Sequence, residues 1–238
     1  MQELIDASAS QIQDMFSQIA PRYDLLNRLM TLGFDKKWRK KMVGILPQTS
    51  SNKKYLDLAT GTGDVPMMIL KPKEHPRANI DAVDFSLPMI QLAKEKVKKK
   101  GLEKQIHFHC CDVEELPFSN NTYDGATIAF GIRNVIDRAK ALKEIQRVLK
   151  PNAPLVILEA LPPKNKWQRK IQNFHLTFTV RLLGNILSQG KAYRYFGNSV
   201  GEFPSAKDFL HILEENGFHH CQTKPLTLGA VSLLWGYK

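Results

Sequence analysis

The sequence predicts a doubly wound α/β fold, a mostly parallel sheet with helices on both faces, and three observations predict it. Between Asn52 and Glu159, short apolar runs that end in turn residues alternate with longer helical patterns, the signature of successive βαβ units. A turn with two glycines, Gly61-Thr62-Gly63, follows the first of these runs and precedes a helical segment. Acidic residues stand at the ends of three successive runs, Asp57, Asp84 and Asp112, where an open parallel sheet binds its ligands.

Strands are expected at Tyr55–Leu58, Ile80–Asp84, Ile106–Cys110, Gly125–Ala129 and Leu155–Glu159, because each is a short apolar run bounded by turn residues. Two helices lie between them. Pro88–Lys100 repeats Met89, Ile90, Ala93 and Val97, and Ala139–Leu149 repeats Leu142, Ile145, Val148 and Leu149, at steps of three and four. Before the core, residues 10–41 carry the stripe Ile12, Met15, Phe16, Ile19, broken by Pro21 and resumed at Leu25. A second amphipathic helix is expected over Trp167–Leu187. The chain then reads as one domain: a helical N-terminal cap over 1–50, a cofactor-binding core over 51–160, a helical substrate lid over 161–205, and a final helix and strands over 206–238.

The 238 residues are 43% hydrophobic and 24% charged, values of a folded globular chain, and the formal charge is +11. That charge attracts anions, whether RNA, acidic lipid headgroups or solvent ions, and by itself does not choose among them. Basic residues cluster at Lys36, Lys37, Arg39, Lys40 and Lys41 around Trp38. They cluster again at Lys94, Lys96, Lys98, Lys99 and Lys100, read as a solvated helix face. The three cysteines, Cys110, Cys111 and Cys221, lack metal-ligand spacing and suit a reducing compartment. The N-terminus shows no signal or transit pattern, and the apolar stretch Phe174–Leu187 is too short and polar to span a bilayer. A cytoplasmic protein is expected, with room for a homodimer and for a peripheral membrane contact.

The turn Asp57-Leu58-Ala59-Thr60-Gly61-Thr62-Gly63-Asp64 lets the main chain come close to a ligand at Gly61 and Gly63. It lacks the third glycine of a dinucleotide fingerprint, since Asp64, Val65 and Pro66 follow. Asp57 and Asp64 would repel a pyrophosphate and favour the ammonium and sulfonium of S-adenosylmethionine. Asp84 suits ribose hydroxyls, Asp112 the adenine amine, and the Val113 amide a ring nitrogen. Together these residues point to a nucleoside without phosphates.

The sequence resembles the menaquinone/ubiquinone biosynthesis C-methyltransferase family along nearly its whole length. The resemblance is carried by Ile19-Ala20-Pro21-Arg22-Tyr23-Asp24-Leu25-Leu26-Asn27-Arg28, Leu32-Gly33-Phe34-Asp35, the glycine turn, Leu116-Pro117-Phe118, Phe130-Gly131-Ile132-Arg133-Asn134-Val135, Arg147-Val148-Leu149-Lys150-Pro151 and Phe203-Pro204. It implies the Rossmann-like sheet of the class I S-adenosylmethionine-dependent methyltransferases, with cofactor contacts at Thr62, Asp84, Asp112 and Val113. Departures are Asn152-Ala153 after Pro151 in place of a glycine pair, Ala160 after Glu159, Ala129 where a serine is common, and a missing histidine near Gly229–Gly236.

The implied substrate is a polyprenylated hydroquinone, demethylmenaquinol or the benzoquinol of ubiquinone synthesis. Its ring carbon becomes nucleophilic when a phenol with a pKa near 10 loses its proton, and bringing that pKa to about 7 takes roughly 4 kcal/mol. Arg133 is expected to supply a fixed cation, Asn134 a hydrogen bond, and Tyr23 and Asp24 to orient the ring; a helix-capping role after Pro21 serves equally for the last two. Tyr193, Tyr195, Phe196 and Phe203 suit either a substrate channel or core packing. Nucleic acid is not an expected partner: after the fourth strand Ala129-Phe130-Gly131-Ile132 replaces the Asp/Asn-Pro-Pro-aromatic run of one class of nucleic-acid methyltransferases. A non-catalytic assembly subunit of the quinone pathway is the alternative that keeps the fold and drops the chemistry.

Overall fold

The computed structural model of the chain describes residues 9–47, 52–71, 75, 77–162, 199–229 and 231–238. The N-terminal segment folds as α1 (Ala9–Ile19), a 3-10 turn (Ala20–Arg22), α2 (Tyr23–Met30) and α3 (Asp35–Val43). The core follows as β1 (Lys54–Leu58), α4 (Asp64–Ile69), β2 (Asn79–Asp84), α5 (Leu87–Lys98), β3 (Ile106–Cys110), β4 (Gly125–Ala129), a 3-10 turn (Ile132–Asn134), α6 (Arg138–Val148) and β5 (Pro154–Ala160). The chain ends with α7 (Ala206–Glu215), β6 (His219–Leu226) and β7 (Val231–Tyr237). The expected helix over Trp167–Leu187, and with it Tyr193, Tyr195 and Phe196, lies outside the described residues.

The seven strands form one sheet in the order β3-β2-β1-β4-β5-β7-β6. β1 to β5 pair in parallel, and β7 inserts antiparallel between β5 and β6. Alternate residues feed two cores. Leu56, Leu58, Leu155 and Ile157 pack with Leu142 and Ile145 of α6 and Phe209 of α7, whereas Tyr55, Val156 and Leu158 pack with Met42 of α3 and Ile69 of α4. This burial on both faces explains why the central strands read as continuous apolar runs. Phe203 belongs to the first core and stacks near Phe209, with ring centroids 4.9 Å apart. No helix among the described residues is long and apolar enough to cross a membrane.

The sheet order reverses between β1 and β4, and the chain leaves both strands through residues held in the left-handed region, Ala59 (φ 47°) after β1 and Phe130 (φ 58°) after β4. Strained non-glycine backbone at these two ends marks the place where the fold gives up local stability for shape. A Cβ added to Gly131 would stand 2.5 Å from that of Ala59, so only glycine lets the two strand ends approach this closely. Asn152 adopts φ 62°, the left-handed conformation that asparagine tolerates. Gly131→Ala should therefore separate the two strand ends and cost about 1–3 kcal/mol of unfolding free energy, as overpacking does. Denaturant unfolding checks this, and an unchanged midpoint would show that the approach is not a constraint.

Candidate active site

A cleft lies beyond the carboxyl ends of β1 and β4. One wall is built from strand ends, Gly61, Asp84, Asp112 and Val113, and the other from Ile12, Phe16 and Tyr23 of the N-terminal helices, with Ala129 and Asn134 between. Asp84 closes the turn after β1: its Oδ2 accepts from the Gly61 amide at 2.7 Å, and its Oδ1 from the Ser86 amide at 2.9 Å. Burial pushes this carboxyl up, and the amides oppose the shift. Asp112 is exposed, and its Oδ1 accepts from the Glu114 amide at 3.0 Å, which fixes the bend beside Val113. Gly63 (φ 79°) caps α4 in a conformation suited to glycine, and a Cβ there would press on Ala93 of α5 at 3.2 Å.

Asp57 does not line the cleft. It is buried on β1, where its Oδ1 accepts from the Thr127 hydroxyl at 2.6 Å and its Oδ2 has no hydrogen-bond partner among the described residues. Burial lifts its carboxyl to about 7, against the pull of Thr127. A half-satisfied buried acid at the base of a ligand turn suits a cationic group nearby, such as the ammonium of an amino-acid moiety. The arrangement as a whole, two acids in the wall, the Gly61 amide already taken up by Asp84 and a nearby carboxyl with one oxygen unsatisfied among the described residues, fits a cationic nucleoside better than a phosphate. Cys111 also lines the cleft, but burial pushes its thiol up to about 11, which makes it a poor nucleophile at neutral pH.

The profile of the ubiE/COQ5 methyltransferase family matches residues 4–238. The chain belongs to this family. Among curated members it is 40% identical over 227 residues to the ubiquinone/menaquinone biosynthesis C-methyltransferase UbiE of Geobacter sulfurreducens, covering 95% of this chain and 88% of that one. It is 37% identical over 230 residues to the UbiE of Rickettsia prowazekii, with coverages of 95% and 92%. Its fold is that of class I methyltransferases: a SAM-dependent methyltransferase from Aquifex aeolicus matches with a TM-score of 0.59 and 19% identity over 84% of this chain and 88% of that one. Phosphoethanolamine N-methyltransferase 2 of Haemonchus contortus, in complex with S-adenosyl-L-methionine, matches with 0.61 and 13% over 85% and 52%.

Within this ubiE/COQ5 methyltransferase, the residues expected to do chemistry divide. Tyr23 and Asn134 line the cleft, and burial pushes the Tyr23 phenol up, so it stays a neutral donor. Arg133 does not line it. Its Nη1 donates to Glu159 Oε1 at 2.5 Å and to the Phe130 carbonyl at 2.9 Å, and Glu159 is fully buried at the end of β5. The expectation of a fixed cation facing the ring therefore needs correction: the charge of Arg133 is already balanced by a carboxylate beneath the loop that carries Phe130 and Asn134. Glu159 was legible only as a strand-end acid, because nothing in the sequence pairs it with Arg133.

Asp24 and Thr62 also stand apart from the cleft lining. The Thr62 hydroxyl donates to Asp24 Oδ1 at 2.6 Å, and Lys96 Nζ donates to Asp24 Oδ2 and to Asp64 Oδ1, both at 2.7 Å. Asp64, expected to favour a cationic ligand, spends its charge on this contact. Burial would raise its carboxyl, but Lys96 and Arg39 overcome that and hold it below the usual range. The cluster ties α2 to the glycine turn and to α5, while Gln13 Nε2 donates to the Phe85 carbonyl at 2.6 Å to tie down α1. Lys96, read as part of a solvated face, is thus the hub of the latch. Its signal was its place three residues beyond Ala93, beside the inward stripe of α5.

Two predictions follow from these contacts. Lys96→Met should weaken the hold on the N-terminal helices by about 1 kcal/mol, which speeds local opening about fivefold. Limited trypsin digestion, followed at Arg22 and Arg28, checks this; an unchanged rate contradicts the latch. For Asp57, a carboxyl lifted from 3.8 to about 7 keeps its proton in the native state after the unfolded chain has lost it. Stability should be highest below pH 4 in this respect and decline as pH rises towards 7, the reverse of an ion-paired acid. Unfolding measured across that window should show a shallower decline for Asp57→Asn than for the natural protein.

Proposed function

We propose that this protein transfers a methyl group from S-adenosylmethionine to a ring carbon of a polyprenylated hydroquinone, converting demethylmenaquinol to menaquinol. The observation that carries the reading is a cleft that brings strand-end acids on one wall together with the apolar side chains and the Tyr23 phenol of the other, and Asn134 between them. Its relatives in Geobacter sulfurreducens and Rickettsia prowazekii, ubiquinone/menaquinone biosynthesis C-methyltransferases, agree with it. The cofactor supplies a methyl group on a sulfonium. Asp84 accepts hydrogen bonds from the ribose, Asp112 from the adenine amine, and the Val113 amide donates to the ring. Ala129 lines the cleft and offers no side-chain hydrogen bond, so more of the binding falls on the two acids.

The protein's own task is to make the quinol carbon electron-rich. The quinol hydroxyl gives its proton to solvent water. Tyr23, kept protonated by burial, and the Asn134 amide donate to the oxygen left negatively charged. The ring C–H proton is lost to water after the carbon has taken the methyl group. Roughly 4 kcal/mol of preferential stabilisation is needed. Arg133, with its charge shared by Glu159, holds the Phe130–Asn134 loop in register rather than supplying that energy alone. Phe16 and Ile12 exclude water from the same side, which strengthens both hydrogen bonds. A benzoquinol would use the same contacts.

An oxidised quinone has no phenol to ionise, so methyl transfer should require the reduced substrate. Incubation with labelled cofactor and each quinol or quinone, with the product identified by mass, should give methylated naphthoquinol from the reduced substrate and no product from the oxidised one. Equal rates with the oxidised form would exclude the mechanism. Tyr23→Phe and Asn134→Ala should each lower kcat about tenfold or more with the fold intact. Arg133→Ala, which strands a buried carboxylate, should cost about 3–5 kcal/mol of stability. An Arg133→Ala protein that is fully stable but inactive would restore the direct catalytic role.

A further inference from the structure

Three of the five large apolar side chains exposed among the described residues fall within ten positions of one another: Leu25 (54% exposed), Leu32 (71%) and Phe34 (40%). They surround the α2–α3 corner, and the corner is rigid. The amides of Thr31, Gly33 and Phe34 donate to the carbonyls of Asn27, Arg28 and Thr31, each at 2.9 Å. Leu32 at its tip is held at φ 50°, a left-handed conformation that a bulky side chain rarely adopts and that asparagine or glycine would accept readily. A strained, hydrogen-bonded turn that holds a leucine out into solvent is explained by nothing it touches among the described residues.

The charge around this tip is one-sided. Arg28, Lys36, Lys37 and Lys41 are exposed on α2 and α3. The two acids of the same stretch are engaged elsewhere, Asp24 with Thr62 and Lys96, and Asp35, which is buried, with Arg39. Apolar side chains at the tip and lysines behind it match the layering of a bilayer bearing acidic lipids, with hydrocarbon below and negative headgroups above. The corner also connects to the cleft: Phe34 stacks on Trp38 (centroids 6.2 Å apart), and Trp38 meets Phe130 (6.3 Å), which lines the cleft.

We propose that the α2–α3 corner is a docking surface for a bilayer containing anionic lipid, with Leu32 and Phe34 entering the headgroup boundary and Lys36, Lys37 and Lys41 meeting its charge. The docking rests on exposure and charge, and not on the substrate reading above. If that reading holds, the aromatic row from Phe34 to Phe130 sets the cleft beside the membrane in which a prenylated quinol resides.

Vesicle co-sedimentation, without cofactor or quinol, tests the surface independently of the reaction. The natural protein should pellet with vesicles of phosphatidylcholine containing about one-third phosphatidylglycerol, stay in solution with phosphatidylcholine alone, and be released by about 0.5 M NaCl. Lys36→Glu combined with Lys37→Glu should weaken binding about tenfold or more. Leu32→Asn is the discriminating variant, since it relieves the left-handed strain: its Tm should equal or exceed that of the natural protein while vesicle binding falls severalfold. The proposal is overturned if the natural protein ignores anionic vesicles or if both variants bind as it does. It is equally overturned if sedimentation velocity shows that Leu32→Asn abolishes self-association in a protein without vesicle affinity, since a second copy would then cover the corner.

Discussion

The short hydrogen bond from the Gly61 amide to the Asp84 carboxylate joins the end of β1 to the end of β2 and holds the turn that frames the cleft. Around it, the close approach of Ala59 and Gly131 sets the width of the gap between β1 and β4, and the Asp24–Thr62–Lys96 cluster lays the N-terminal helices over the same turn. Each of these contacts acts on one stretch of eight residues, Asp57 to Asp64. A parallel sheet alone offers a crevice at this point; the acids and the small residues decide what can enter it.

Charge in this site is arranged by distance from solvent. Asp112 is exposed and bends the chain beside Val113, Asp84 is buried and bonded to amides, and Asp57 is buried deepest with one oxygen unsatisfied. The cations nearby are each held by a carboxylate of their own, Arg133 by Glu159, Lys96 by Asp24 and Asp64, and Arg39 by Asp35. The cleft thus keeps an acidic wall inside a strongly basic protein. The surplus of positive charge on the α2–α3 corner comes from the same pairing, because its acids face inward.

Elements whose burial repeats were legible from residue order. The five parallel strands fall within a residue of their expected bounds, since runs such as Leu155–Leu158 are buried on both faces and admit few other readings. β6 and β7 were anticipated only as strands in the last segment. β6 is mostly exposed and contains Pro225, so it lacks an apolar signature, and its place at the sheet edge depends on pairing with β7, which no local pattern encodes. For the site, acids after strands were legible because the fold itself sends strand ends to the ligand. The partners of Arg133, Asp24 and Lys96 were not, since side chains 26, 38 and 72 positions apart meet only through the topology.

In the proposed function, the Asp84 carboxylate and its neighbours hold a sulfonium nucleoside at the switch between β1 and β4. Isothermal titration with S-adenosylmethionine, alongside ATP as a phosphate-bearing nucleoside, measures that claim directly. S-adenosylmethionine should bind and ATP should give no heat, and Asp84→Asn should weaken the binding about tenfold or more through loss of charged hydrogen bonds. Preference for ATP, or S-adenosylmethionine binding that Asp84→Asn leaves unchanged, would contradict it.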